Sequence, residues 1–176
     1  MAGLLGLLVL TEARREARVR NGQLVPLGEQ DRAGWDQGLI TEGHDLVREC
    51  LAINRPGRYQ ILAAINAVHT DAPTASDTDW SQVVALYDQL IRLDPSPIVT
   101  LNRAVAVAEL DGPEVALTMV DRLPLTGYHA WHVARADLLR RLGRTAEAKE
   151  SYDAAIAATQ NSAERAYLTR KRGELI

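Results

Sequence analysis

One apolar spacing occurs three times in this chain, and the copies are shifted by 33 and then by 32 residues. In each copy, apolar or aromatic side chains stand at positions i, i+4 and i+7, which lie on one face of an α-helix. The sets are Val83, Tyr87 and Leu90, then Ala116, Val120 and Leu123, then Ala148, Tyr152 and Ala155. This period is typical of stacked helical hairpins, in which neighbours cover each other's apolar faces. The repeat therefore favours a binding or regulatory module over an enzyme.

The helical segments of the second half are joined by short loops that contain Gly or Pro. Because short loops place consecutive helices side by side, we predict an all-α fold, a right-handed superhelical array of antiparallel helical hairpins. We expect residues 1–70 to form a helical cap and residues 78–176 to form the repeat-like body. The register also predicts that Tyr87 and Tyr152 lie in the core.

The first half is less regular, and its elements are predicted from local signals. Residues 3–19 read as one amphipathic helix, and the Asn21-Gly22 turn that follows allows at most a minimal hairpin. Asp31 is expected to cap a helix over residues 32–53.

Two further helix starts are predicted from capping residues. Asn54 and Pro56 supply a cap and a first-turn proline for a helix that runs to about His69. Asp77 or Thr78 is expected to cap the helix that follows.

The composition and net charge of the chain exclude several classes of protein. The chain is 47% hydrophobic and 24% charged, which excludes a disordered chain, and its net charge of −3 argues against a surface that binds nucleic acid or membrane. The opening GLLGLLVL is too short to cross a bilayer and lacks the basic start of a signal peptide. Its uncapped start suggests a piece of a longer protein. Cys50 is the one cysteine, which favours a buried thiol and a cytoplasmic protein.

No catalytic or metal-binding motif stands out. His129 and His132 are spaced at i, i+3, but no carboxylate or Cys stands at complementary spacing, so we expect no metal site there. Neither a nucleophile motif nor a phosphate-binding loop is present. We therefore expect no enzyme activity and no cofactor.

Two resemblances are more specific than the spacing. The last hairpin resembles a tetratricopeptide repeat at Ala136, Leu142, Gly143, Arg144, Ala148, Tyr152 and Ala155. Nearly the whole chain resembles the C-terminal extension of bacterial extracytoplasmic-function (ECF) sigma factors. The strings that carry this resemblance are EQDRAGWD (29–36), YQILAAINAVH (59–69), DWSQVVALYDQL (79–90), PSPIVTLNRAVAVAELDGP (95–113) and GYHAWHVARADLLRRLGR (127–144).

The second resemblance implies a role in the bacterial cytoplasm as a regulatory, protein-binding extension of a sigma factor. It implies sigma regions 2 and 4 of the same full-length protein as partners, RNA polymerase through those regions, and a DGPF/YCII-like protein as a further candidate. Neither sigma region is visible in this chain, so we expect no direct DNA binding. The alternatives are a free-standing tetratricopeptide-type adaptor and, more remotely, a small hydrolase or ligand-binding enzyme.

Two groups of polar residues are candidates for partner binding. The first group could form an ion-pair cluster that faces the sigma regions, or could serve only as internal salt bridges and helix caps. Its members are Arg14, Arg15, Asp31, Arg32, Trp35 and Asp36. The second group comprises Asn102, Arg103 and Arg135. Its two arginines could present guanidinium groups to a carboxylate, or they could cross-link adjacent repeats through buried hydrogen bonds to loop carbonyls. The carboxylate clamp of tetratricopeptide proteins is not expected, because its positions hold Leu101, Val105 and Val133.

Overall fold

A computed structural model describes residues 2–53 and 56–176 of the chain. Within these ranges it contains nine α-helices and one two-stranded hairpin, so the predicted all-α class is confirmed. The helices are α1 (Ala2–Glu12), α2 (Gln37–Ile53), α3 (Arg58–Asp71), α4 (Trp80–Leu93), α5 (Pro97–Leu110), α6 (Pro113–Asp121), α7 (His129–Arg141), α8 (Thr145–Ala158) and α9 (Ser162–Gly173), and the strands are β1 (Val19–Arg20) and β2 (Gln23–Leu24). None of these helices combines the length and apolarity of a membrane-crossing span.

The chain divides into two compact units. Unit one comprises the described residues up to Arg20 together with Val25–Pro95, and unit two comprises Asn21–Leu24 together with Ser96–Ile176. Helix α4, which we had assigned to the repeat-like body, therefore belongs to unit one. Strand β2 packs against α9 within unit two.

Helix α1 packs closely on α2 and α3 in unit one. Leu10 is fully buried against Gly43, where an added Cβ would lie 2.5 Å from the Leu10 Cγ. The glycine therefore allows the two helices to approach each other. On the other face of α1, Leu4, Leu5 and Leu8 are exposed.

Helix α1 ends at Glu12, so the predicted helix over residues 3–19 is too long. The Ala13 carbonyl accepts a hydrogen bond from the Asp36 backbone N–H at 2.9 Å, and the chain leaves the helix there through a 3₁₀ turn at Arg15–Ala17. Asn21 and Gly22 then adopt positive φ values of 52° and 73°, which suit a tight hairpin turn. The minimal hairpin predicted at this turn is confirmed.

Helix α2 begins at Gln37 rather than at residue 32. The Asp31 carboxylate caps a separate 3₁₀ turn at Arg32–Gly34, where it accepts from the Ala33 N–H at 3.0 Å. Trp35 is extended and buried, which interrupts the helix, and Asp36 caps α2 by accepting from the Leu39 N–H at 3.0 Å.

The starts of α3 and α4 also differ from the predictions. Gly57 stands at the N-cap of α3, so Pro56 precedes the helix rather than standing in its first turn. The predicted cap Asn54 lies outside the described residues. Asp79, and not Asp77 or Thr78, caps α4 by accepting from the Gln82 N–H at 2.9 Å. Asp77 instead bonds the Thr74 N–H in a preceding 3₁₀ turn.

Unit two is built from consecutive helix pairs, α5 with α6 and α7 with α8, and α9 packs on α8. Fully buried alanines at the helix contacts permit close packing, among them Ala104, Ala116, Ala136, Ala148 and Ala155. Gly112 and Gly143, with φ of 93° and 71°, follow α5 and α7 and allow the chain to turn.

The repeated apolar positions lie mainly in the core, on α4, α6 and α8. Tyr152 is 2% exposed, as predicted, and packs with Ala136 and Leu168. Tyr87 is only half-buried, so its predicted core position is wrong in part. Leu123, beyond the end of α6, is half-buried too.

Candidate functional site

The candidate site in unit one is centred on Arg32, in the 3₁₀ turn before α2. The Arg32 Nη1 donates hydrogen bonds to the backbone carbonyl oxygens of His69 and Ala72, at the C-terminal end of α3. A cation is favoured at this position by the helix dipole and the unpaired carbonyls. The guanidinium also lies 4.8 Å from the centroid of the Trp35 ring. These contacts connect the segment before α2 to the end of α3.

A pocket of about 280 Å³ lies beside this guanidinium. Its lining residues are Arg32, Ala33, Trp35, Gln37, Thr70, Asp71, Ala72 and Pro73. Both hydrogens of the Arg32 Nη1 are used, whereas Nε and Nη2 have no acceptor among the described residues. Trp35 is 4% exposed, and its buried Nε1 likewise has no acceptor there. Arg32, which lines the pocket, therefore has donor atoms that the described chain leaves unused, and the Trp35 Nε1 is buried without an acceptor.

Two further arginines lie in the same part of unit one. The Arg14 Nη2 donates to the Asn66 Oδ1 at 2.6 Å, and the Arg18 Nη2 donates to the Thr11 carbonyl oxygen. Burial, followed by the charges of Arg18 and Arg32, lowers the pKa of Arg14 to about 10. Among residues 2–53 and 56–176, no carboxylate lies within ion-pair distance of Arg14, Arg18 or Arg32. Positive charge is therefore concentrated in this region.

His69 completes the cluster from α3. Its ring packs edge-on against Trp80, with the ring centroids 5.3 Å apart. Burial, followed by the charges of Arg14 and Arg32, lowers the pKa of His69 to about 4. The imidazole is therefore neutral near pH 7 and adds no charge to the three arginines.

The structure separates the first predicted group. The exposed Arg15 pairs locally with Glu12 at 3.0 Å, while Asp31 and Asp36 serve as caps. The predicted ion-pair cluster of Arg14 and Arg15 with these two aspartates is not formed among the described residues. Of the alternative interpretation, the caps are formed but not at the predicted helix start: Asp31 caps a 3₁₀ turn, and Asp36 caps α2. Arg32 and Trp35 contact each other, as reported above.

Sequence reasoning missed Arg18, Asn66 and His69. Asn66 and His69 are polar residues at i, i+3 in the otherwise apolar YQILAAINAVH helix. Two polar residues on one side of an apolar helix indicate a buried polar contact, so this pattern could have pointed to them. Their partners could not be named, because the Arg14–Asn66 contact spans 52 residues.

The second predicted group lies in unit two. The Arg135 Nε donates to the Asp121 Oδ1 at 2.8 Å, and its Nη1 donates to the Ser151 Oγ at 2.8 Å. Arg135 therefore connects α6, α7 and α8, but its acceptors are the side chains of Asp121 and Ser151 and not the predicted loop carbonyls. Asn102 is exposed on α5, and the neighbouring Arg103 is half-buried.

The two histidines of the HxxH spacing have different partners. The His129 Nε2 lies 2.9 Å from the Glu164 Oε1, and the His132 Nε2 is hydrogen-bonded to the Thr126 carbonyl oxygen at 2.8 Å. Within the described part of the chain, no three His, Cys, Asp or Glu side chains are grouped so that they could hold a metal ion. Cys50 is buried, as predicted.

Comparisons with known proteins give a family and a relative, both without an assigned function. Residues 1–51 match a family of unknown function, DUF6596. The chain is 47% identical over 171 residues to "Uncharacterized protein R00370" of Rhizobium meliloti (strain 1021), a match that covers 96% of this chain and 40% of that protein. The chain thus spans about two fifths of this relative's length. No solved structure matches the chain.

Proposed function

We propose that this chain is a regulatory, protein-binding extension of an ECF sigma factor. The observation that carries the proposal is the order of the five sigma-like strings along the chain and their place in the fold. EQDRAGWD forms the Arg32 turn and the cap of α2, YQILAAINAVH lies in α3, and the remaining strings span α4, α5 and α7 with their caps. The strings thus fall on packed elements and on the arginine cluster, where partner binding and stability both depend on residue identity.

The length of the relative is compatible with this proposal, because 60% of that protein lies outside the match. Sigma regions 2 and 4 would lie in such a portion, and they would bring RNA polymerase to the protein. A DGPF/YCII-like protein is a further candidate partner. The chain carries a net charge of −3, which gives no support to DNA binding by this chain itself.

We further propose that the helix pairs form a right-handed tetratricopeptide-like array. In support, the repeated apolar positions fall on α4, α6 and α8, each the second helix of a consecutive pair, with Leu123 just beyond the end of α6. Within unit two, α6 packs on α7 as well as on α5, so adjacent pairs share a core. Arrays of this kind usually bind proteins rather than perform chemistry.

Affinity purification of the full-length Rhizobium relative from its own cells tests the proposal. We expect core RNA polymerase subunits to copurify with the full-length protein, and deletion of the portion aligned with this chain to change transcription from its promoters. The same protein without its remaining portion is the matched control and should not retain polymerase. Absence of polymerase from the full-length capture would contradict the sigma proposal and favour the adaptor alternative.

A further inference from the structure

We infer that the pocket beside Arg32 binds a carboxylate group. The site requires only residues of unit one, so the inference does not depend on the sigma-factor proposal. It would supply an anion-recognition function that neither the family nor the relative assigns to this region.

The Arg32 guanidinium is held in place before any ligand arrives. Its Nη1 is bound to the carbonyl oxygens of His69 and Ala72, and its plane lies near the Trp35 ring. The Nε and Nη2 atoms of Arg32 remain available as donors. Together they form the edge of a guanidinium that can bind a carboxylate through two parallel hydrogen bonds. Because the side chain is already fixed, less rotamer entropy is lost on binding.

The surrounding charges favour a singly charged anion. Arg14 and Arg18 lie close enough to each other to shift the Arg14 pKa, and both bind neutral oxygens. An incoming anion therefore finds arginines that form no direct ion pair with a carboxylate of the described chain. Asp71 lines the pocket and Asp77 acts on Arg32 electrostatically. These acidic groups disfavour a doubly charged phosphate and leave a carboxylate as the better match.

The size of the pocket limits the ligand. A volume of about 280 Å³ lies just below the range for drug-sized ligand sites, which begins near ~300 Å³. It suits either a small free carboxylic acid or the side chain of one Asp or Glu of a partner protein. Both sources present the same group to the Nε and Nη2 edge.

Titration of the ¹⁵N-labelled full chain by NMR tests the inference. We expect acetate, or a short acetylated and amidated peptide that contains one Glu, to shift the Arg32 Nε–H and Trp35 Nε1–H signals with a dissociation constant of about 1–10 mM. The same peptide with Gln in place of Glu is the matched ligand control and should cause no shift. If the Glu peptide binds more tightly than acetate, the source is a protein side chain, and the reverse order indicates a free acid.

Substitutions separate this site from general charge attraction. Arg32→Lys keeps the charge but loses the planar fork, so we expect binding to weaken by about tenfold or more. Arg15→Lys changes an exposed arginine outside the pocket and should leave binding unchanged. Equal binding by the Arg32→Lys and wild-type chains, or no shift of the wild-type Arg32 Nε–H with either ligand, would overturn the inference. The titration of the wild-type chain tests the inference even if the Arg32→Lys variant does not fold.

Discussion

The half-buried arginines of the two units are satisfied in different ways. In unit one, Arg14 and Arg32 donate to an amide oxygen and to backbone carbonyls. In unit two, Arg135 and Arg140 pair with the carboxylates of Asp121 and Asp137. Neutral acceptors satisfy hydrogen bonds but leave the charge in place, whereas carboxylates also neutralise it. Arg135 links α6 to α7 and Arg140 pairs within its own helix, so unit two neutralises both arginines with nearby carboxylates. In the described part of unit one, Arg14 and Arg32 have no such partner, and the carboxylate site inferred above lies beside Arg32.

The packing of the two units differs as well. In unit one, α1 approaches its neighbours at Gly3 and Gly43, where an added Cβ would lie 2.6 Å from the Gln60 Cγ and 2.5 Å from the Leu10 Cγ. In unit two, alanines and one buried tyrosine fill the space between consecutive helix pairs. Truncations should therefore affect unit two most, and enlargements should affect unit one.

The largest expected effect is the truncation of the buried tyrosine. Tyr152→Ala should lower the free energy of unfolding by about 3–5 kcal/mol, because it leaves a cavity among Ala136, Ala155 and Leu168. Tyr87→Ala, at the corresponding position of α4, should have a clearly smaller effect, because Tyr87 is half-buried. Urea denaturation of both variants measures the difference. Equal losses would show that the two units do not differ in burial at this position.

Acid should weaken unit one through His69. The unfolded chain has the ordinary His pKa of 6.5, whereas the folded chain holds it at about 4, so only the unfolded state takes up this proton between those values. Stability is therefore unaffected above pH 6.5 and falls on acidification toward pH 4, by at most about 3 kcal/mol.

His69→Phe isolates this contribution, because it keeps a ring against Trp80 but cannot titrate. Urea denaturation at several pH values should show a shallower acid loss for His69→Phe than for the wild-type chain, while the carboxylates contribute alike to both. Identical pH profiles would contradict the assignment to His69.

Enlarging a glycine tests the close helix contact in unit one. Gly43→Ala should lower the free energy of unfolding by about 1–3 kcal/mol, because its Cβ would lie 2.5 Å from the Leu10 Cγ and Leu10 is fully buried. Gly28→Ala is the matched control, since nothing lies within 4 Å of its Cβ position. Thermal unfolding compares the midpoint temperatures of the two variants. An unchanged midpoint for Gly43→Ala would show that α1 can move away from α2 without loss of stability.

The smallest expected effect concerns the cross-link in unit two. Asp121→Asn should lower the free energy of unfolding by about 0.5–1 kcal/mol, because it removes the charge that faces the Arg135 Nε. The loss should shrink at high salt, since the pair is partly exposed to solvent. Glu12→Gln, in the exposed pair with Arg15, should have almost no effect. Urea denaturation at low and at high salt measures the free energy of unfolding of both variants. A loss of stability in Asp121→Asn that does not depend on salt would rule out a charge effect.

Local signals predicted most of the second half of the chain. The Gly- and Pro-containing loops predicted from the sequence mark real helix boundaries, with Gly112 after α5 and Gly143 after α7, because turn preferences act over a few residues. The first half was less predictable. The run from Arg14 to Val19 keeps a helical register, yet the helix ends at Glu12 because Asp36, distant in sequence, takes the Ala13 carbonyl.

The candidate site was predicted only in part, because its residues could be named from the sequence but their distant partners could not. Arg14, Arg32 and Trp35 were singled out from the sequence, but their expected acidic partners Asp31 and Asp36 cap helical turns instead. A short carboxylate beside a helix start finds backbone N–H groups at closer range than a distant guanidinium.

The sequence by itself determined that this protein is helical and which face of each repeated helix is apolar, because both follow from spacings of three to four residues. Only the tertiary structure decided which arginines bind neutral oxygens and which pair with carboxylates. The partners of Arg14 and Arg32 lie 52 and 37 residues away along the chain. Contacts over such distances depend on how the helices pack, which no local preference specifies.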